Sequence, residues 1–262
     1  RYQYMTKATE IFQKVPAFDY SEAAADTDPA AFETVVRTRR STRVYTDEPV
    51  PEEVMRRCLE LTLLAPNSSN LQPWEFHWVR DAEKKAELAR LCLGQPAATT
   101  AQELVVCVAR LDTWDRNRKL MLTAMERSDR ETPESALKYY RTLVPLAYGQ
   151  GPWGIFGPVK KLLFWFMALR KPMPRGPAGK ADLRVWAHKS TALGCQNLML
   201  SLRAFGYDSC PMEGMDPLRV RKLLELPRAA EVCMVISAGE RAKNGIYGEQ
   251  IRFDPALFLF EV

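Results

Sequence analysis

The chain has 262 residues, enough for one large domain or two small ones around a buried core. Hydrophobic content of 47% and charged content of 26% are ordinary for a soluble globular protein. A formal net charge of +5 suits an anionic ligand, but is too small and too dispersed for a nucleic-acid partner. Two histidines, with no Cys/His cluster at ligand spacing, argue against a zinc or redox-metal enzyme.

The longest unbroken apolar run, residues 162–169, is eight residues long. A spanning helix needs roughly 20, so none is expected. Six cysteines are scattered, with no Cys-x-x-Cys, and most lie in apolar runs. They read as buried free thiols in a reducing compartment, and with no signal-peptide pattern at the start the expected location is cytoplasmic.

In chain order, residues 1–27 read as a polar N-terminal arm, and 28–262 as one domain with an insertion at about 111–181. Asp28-Pro29 is a helix start, an N-cap residue followed by proline at the first helical position, and this helix runs through Phe32, Val35 and Val36 to the arginine cluster. Pro51 opens a second helix whose apolar face is Val54, Cys58, Leu61 and Leu64, ended by Ala65-Pro66. Residues 75–80 read as a strand, 81–93 as a charged amphipathic helix and 104–109 as a central strand. A long helix over about 182–205 carries Ala187, Ser190, Ala192 and Gly194, small residues that permit close approach of another helix or a flat ligand. Asp216-Pro217 opens a short helix, 232–237 is a strand, and the alternation of Phe258, Phe260 and Val262 predicts a terminal strand over 256–262.

The insertion reads differently. Residues 134–148 suit a helix, and 149–157, with glycines at 149, 151, 154 and 157, suit a turn-rich link. Lys160 and Lys161 then precede an aromatic core with Phe164, Trp165 and Phe166, followed by Arg170 and Lys171. That pattern fits a buried lid helix, a dimer contact or a membrane-surface helix. The lid reading adds Trp153 and Phe156 to the aromatics that would enclose a planar guest.

Three segments concentrate chemistry. Residues 39–43, Arg-Arg-Ser-Thr-Arg, gather cations and a hydroxyl, as a phosphorylated ligand requires. If helical, Arg39 and Arg43 share a face. Residues 65–74, Ala-Pro-Asn-Ser-Ser-Asn-Leu-Gln-Pro-Trp, form a polar turn-forming loop, and 211–214, Pro-Met-Glu-Gly, form a turn whose N–H groups can face a ligand.

In this order the three resemble the FMN-dependent nitroreductase superfamily. The resemblance covers most of 32–110 and 182–262 and fails over the insertion. It implies an α+β fold, a mostly antiparallel sheet flanked by helices in an intertwined homodimer, with one FMN bound at the interface. Carried over residue by residue, Arg39, Arg40 and Ser41 would hold the phosphate. Arg43 would reach the pyrimidine edge of the flavin, where negative charge develops on reduction. Tyr45 fills the motif's aromatic position. Pro66, Asn67, Ser68 and Asn70 would approach the flavin from the other subunit, with Asn67 standing where the family usually has serine. Glu213 and Gly214 would present backbone N–H groups to the ring. The family's final pair of cations falls on Gln250 and Arg252, so one is missing and Arg241 is the substitute. The implied activity is an NAD(P)H oxidoreductase passing hydride through FMN to a planar nitroaromatic or quinone acceptor, with no obligate catalytic side chain. Two rivals are a dehalogenating or flavin-degrading relative and a non-catalytic flavin-binding or membrane-surface module.

Overall fold

The computed structural model describes residues 20–151, 155–169, 172 and 174–262. Most of the arm, together with Trp153, Gly154, Arg170 and Lys171, lies outside these.

Four strands form one antiparallel sheet in the order β1-β2-β4-β3. They are β1 (Trp74–Trp78), β2 (Glu103–Arg110), β3 (Asp208–Met212) and β4 (Ala230–Gly239). β2 is buried along its interior, as its continuous apolar run requires. Its side chains alternate between two cores. Leu104, Val106 and Val108 pack with Leu88, Cys92 and Val220 from α3 (Ala82–Leu91), its end and α10 (Pro217–Leu223). Val105 and Cys107 face Met55 and Cys58 of α2 (Glu52–Thr62) and Leu198 and Leu202 of α9 (Lys180–Ala204). A bulge lies where β2 meets β4. Cys107 pairs with Met234 and Val108 with Val232, leaving Cys233 as the extra residue.

The small residues of α9 serve the sheet. A Cβ on Gly194 would lie 2.6 Å from the Phe76 ring of β1, and Thr191 donates to the Ala187 carbonyl at 2.9 Å. Helix α1 (Pro29–Thr38) starts where Asp28 accepts from the Ala30 and Ala31 N–H groups, and α4 (Pro96–Thr99) is a single turn.

In the insertion, α5 (Trp114–Glu126) precedes the 134–148 helix. That helix is interrupted: α6 (Glu134–Lys138) passes through a π-helical turn, Tyr139–Leu143, into α7 (Val144–Tyr148). Tyr140, Val144, Tyr148 and Trp186 close a third core around Leu71.

Three expectations need correction. Residues 256–262 form no strand: a 3-10 turn, Pro255–Leu257, is followed by exposed chain, and among the described residues no strand lies beside it to pair. The 149–157 link is shorter than its glycines suggest, since α8 (Phe156–Ala168) already contains Gly157. And α8 is not buried: Leu162, Trp165 and Phe166 are each more than half exposed. Lys160 is instead buried, donating to the carbonyls of Ala147 (3.0 Å) and Gly149. Among the described residues no helix is long and apolar enough to cross a membrane.

Candidate functional site

Helix α1 ends at Thr38, and Arg39 takes extended dihedrals (φ −62°, ψ 122°). The arginine cluster is therefore not a helix face, which corrects the helical reading. Beyond it the chain forms a ribbon along the outer edge of β3. Ser41 makes a parallel bridge with Ser209, Thr42 N–H donates to the Ser209 carbonyl (3.1 Å), and Tyr45 makes an antiparallel bridge with Arg241. Thr42 is buried, while Arg43 beyond it is exposed.

Two anchors hold the ribbon. Arg43 N–H donates to the Gly245 carbonyl at 2.6 Å. Tyr45 is buried with its hydroxyl 2.9 Å from Ser237 Oγ, and Gly239 sits so close that a Cβ there would lie 2.9 Å from the ring. Burial pushes the Tyr45 phenol far above its ordinary pKa, so it is a neutral anchor.

Between the ribbon and the segment 246–252 lies a cavity of about 300 Å³. It is lined by Arg39, Arg40, Ser41, Arg43, Gln250 and Arg252, among others, with Glu249 the one carboxylate against four guanidinium groups. Arg40 donates to the Gly248 carbonyl at 2.6 Å, tying the two walls together. This donor set suits a phosphate: fixed positive charge, forked donors, a hydroxyl and an open mouth.

The other predicted residues lie elsewhere. Arg241 is engaged by Asp208, with Nε and one terminal nitrogen each 2.7 Å from its carboxylate. Asp208 is 4% exposed and also accepts from Arg203 at 2.9 Å. Arg241 therefore braces the ribbon from behind and does not line the cavity. Glu213 and Gly214 follow the end of β3, exposed, with the Gly214 carbonyl accepting from Gln95 at 3.0 Å. Met212 is three strand residues beyond Ser209, roughly 10 Å along β3.

Pro66, Asn67, Ser68 and Asn70 sit before β1, at the opposite edge of the sheet. Three strand spacings, roughly 14 Å, separate the two edges. In this loop Ser69, Asn70 and Gln72 have positive φ (59°, 45° and 44°), unusual for residues with side chains. Tyrosines of the insertion hold it there. Tyr139 lies 2.6 Å and Tyr148 3.1 Å from Ser69 Oγ, Tyr148 also reaches Ser68 Oγ (3.2 Å), and the Tyr140 hydroxyl donates to the Ser69 carbonyl (2.9 Å). The sequence reading missed these tyrosines, and it missed Asp208 and the pocket wall 246–249. A polar Tyr-Tyr pair inside an otherwise amphipathic helix was the one available signal.

Fold and cavity together define an α+β protein with an arginine-lined cavity at one sheet edge. The sequence profile of the Nitroreductase family matches residues 36–240, and the chain belongs to that family. The protein named NADH dehydrogenase of Thermus thermophilus is 29% identical over 213 residues, 81% of this chain and 87% of that one. Protein DrgA of Synechocystis is 26% identical over 214 residues, 81% and 85% of the two chains. Among solved structures, a nitroreductase family protein of Streptococcus pneumoniae superposes with a TM-score of 0.66 at 20% identity, covering 88% of this chain and all of that one. A protein of Exiguobacterium sibiricum in complex with FMN gives 0.66 at 23% identity, with coverage of 93% and 100%.

Proposed function

We propose that this oxidoreductase of the nitroreductase family binds FMN and passes electrons from NAD(P)H to a planar acceptor such as a nitroaromatic or a quinone. The observation that carries the reading is the cavity where four arginines and Ser41 converge at a sheet edge. Family membership, the FMN held by the Exiguobacterium protein and the name of the Thermus relative support it.

In this reading Arg39, Arg40 and Ser41 hold the phosphate, with Arg252 closing the far wall. Arg43 places a permanent cation near the ring, where it favours a reduced, negatively charged state. Glu213 and Gly214 offer backbone N–H groups further along β3. The bound FMN would supply the hydride chemistry, and these residues supply orientation and electrostatics. The Pro66–Asn70 loop lies across the sheet from the cavity, which supports a composite site that takes this loop from a second copy of the chain. The exposed tail with Phe253, Phe258 and Phe260 is a further surface for such a homodimer. Six free thiols, five of them buried, support a reducing, cytoplasmic setting.

The test is direct. The purified protein should be yellow and bleach with NAD(P)H. Arg39→Ala removes a charge-assisted contact worth about 1.5–3 kcal/mol, so FMN affinity should fall about tenfold or more. Full FMN retention by the variant after dialysis would overturn the phosphate assignment, and a colourless, NAD(P)H-inert protein would overturn the function. A screen of nitroaromatics, quinones and halogenated aromatics identifies the acceptor.

A further inference from the structure

Helix α8 is amphipathic the wrong way round. Its two buried residues, Gly157 and Lys160, lie on one side. Gly157 abuts the start of α9, where an added Cβ would be 3.2 Å from Gly179 Cα. Lys160 donates to the carbonyls that close α7. On the opposite side Ile155, Val159, Leu162, Phe166 and Leu169 follow one another in steps of four and three, forming a single stripe. Every one of them is more than half exposed, and so is Trp165 at the margin of the stripe.

The segment that carries this stripe is one-sided in charge, although Lys160 is buried and Arg141 is paired with Glu126. Between Glu134 and Asp182 the chain has eight lysines and arginines and not one acidic residue, although the whole chain is only +5. The remainder is therefore net negative. Lys161 on the helix, Lys180 at the start of α9 and Arg175 between them in the chain are exposed.

We propose that α8 docks on an anionic lipid surface, with its apolar stripe in the acyl boundary and the neighbouring cations at the headgroups. At 13 residues the helix is too short to span a bilayer, so it lies in the plane of the surface. The composition of the face, Trp, Phe and Leu with lysine at the flank, matches what such an interface accepts. Charge decides between lipid and a second copy. A two-fold contact of α8 with itself would bring two acid-free basic segments together, whereas an anionic bilayer neutralises them.

The experiment uses the full chain and vesicles of phosphatidylcholine with or without phosphatidylglycerol. Co-sedimentation should be strong with the anionic vesicles at low salt. It should fall about tenfold or more on pure phosphatidylcholine or at high salt. A Leu162→Glu/Phe166→Glu variant should lose vesicle binding to a similar degree, with its circular dichroism and thermal midpoint unchanged. Indifference of the wild type to both vesicle types would overturn the proposal. Binding that survives the double substitution would also overturn it, because the stripe would then not be the contact. A vesicle-indifferent protein whose sedimentation coefficient drops in the variant would assign the face to a second copy instead.

Discussion

The sheet with its basic ribbon and the insertion that carries α8 use opposite rules for the same residue types. Around β2 and β4 apolar side chains are buried on both faces, and cations are either paired, as Arg241 is with Asp208, or turned into one cavity. In the insertion the apolar stripe faces outward and a cation, Lys160, is buried against main-chain carbonyls. Burial holds that ammonium below its usual pKa, and the carbonyls compensate for its lost hydration. The first region hides its apolar side chains within its own cores. The second leaves an apolar stripe open to water, the surface that the proposed lipid contact would cover.

Substitutions in the two regions should differ in kind. The largest loss is expected at the ribbon's anchor. Tyr45→Ala removes a buried ring and its bond to Ser237, and should cost about 3–5 kcal/mol in a denaturant titration. A comparable cost for Leu162→Glu on α8 would erase the contrast, since an exposed position should change stability by no more than about 0.5 kcal/mol.

Next in size is the tyrosine clamp between the insertion and the Ser68–Asn70 turn. Tyr139→Phe and Tyr148→Phe each remove hydroxyl contacts to Ser69, at about 1 kcal/mol. Amide exchange over residues 67–72 should rise while exchange in β2 stays slow. Unchanged protection of that loop would show that packing, not the hydroxyls, holds its left-handed backbone.

The smallest effect is a pH dependence at the bulge. The Cys233 thiol, helped by Glu231, holds the His188 imidazole above its ordinary pKa against the opposing effect of burial. A raised folded-state pKa contributes stability that is complete below the unfolded value of about 6.5 and is lost as pH rises through the folded one. His188→Gln should therefore be less stable than the wild type at acid pH, and the gap should close toward alkaline pH. A gap that widens with pH would reverse the assignment.

Much of this was legible in the sequence, for identifiable reasons. The Asp28-Pro29 and Asp216-Pro217 starts, the run at 104–109 and the helix around Gly194 each carry a strong local signal, and each element stands where that signal places it. The donors of the 39–43 cluster were visible as residue types, but not their geometry. The ribbon's extended path depends on pairing with Ser209, about 170 residues away, and on Tyr45 packing against Gly239, and no local pattern encodes either. The tail at 256–262 failed the other way: it alternates like a strand, but alternation only permits pairing, and among the described residues no partner strand lies beside it. Arg241 looked like a ligand-facing cation because its burial partner, Asp208, lies on another element.

The ribbon along β3 also bears on solubility. A four-stranded open sheet has two edges, and an uncovered edge is a template for pairing with other chains. Here β3 is short, carries Pro211, which has no N–H to offer, and has its outer side met by the ribbon at Ser41 and Thr42. The segment that gathers the arginines is thus also the guard against aggregation at that edge. Substitutions that detach it should cost soluble yield before they cost affinity.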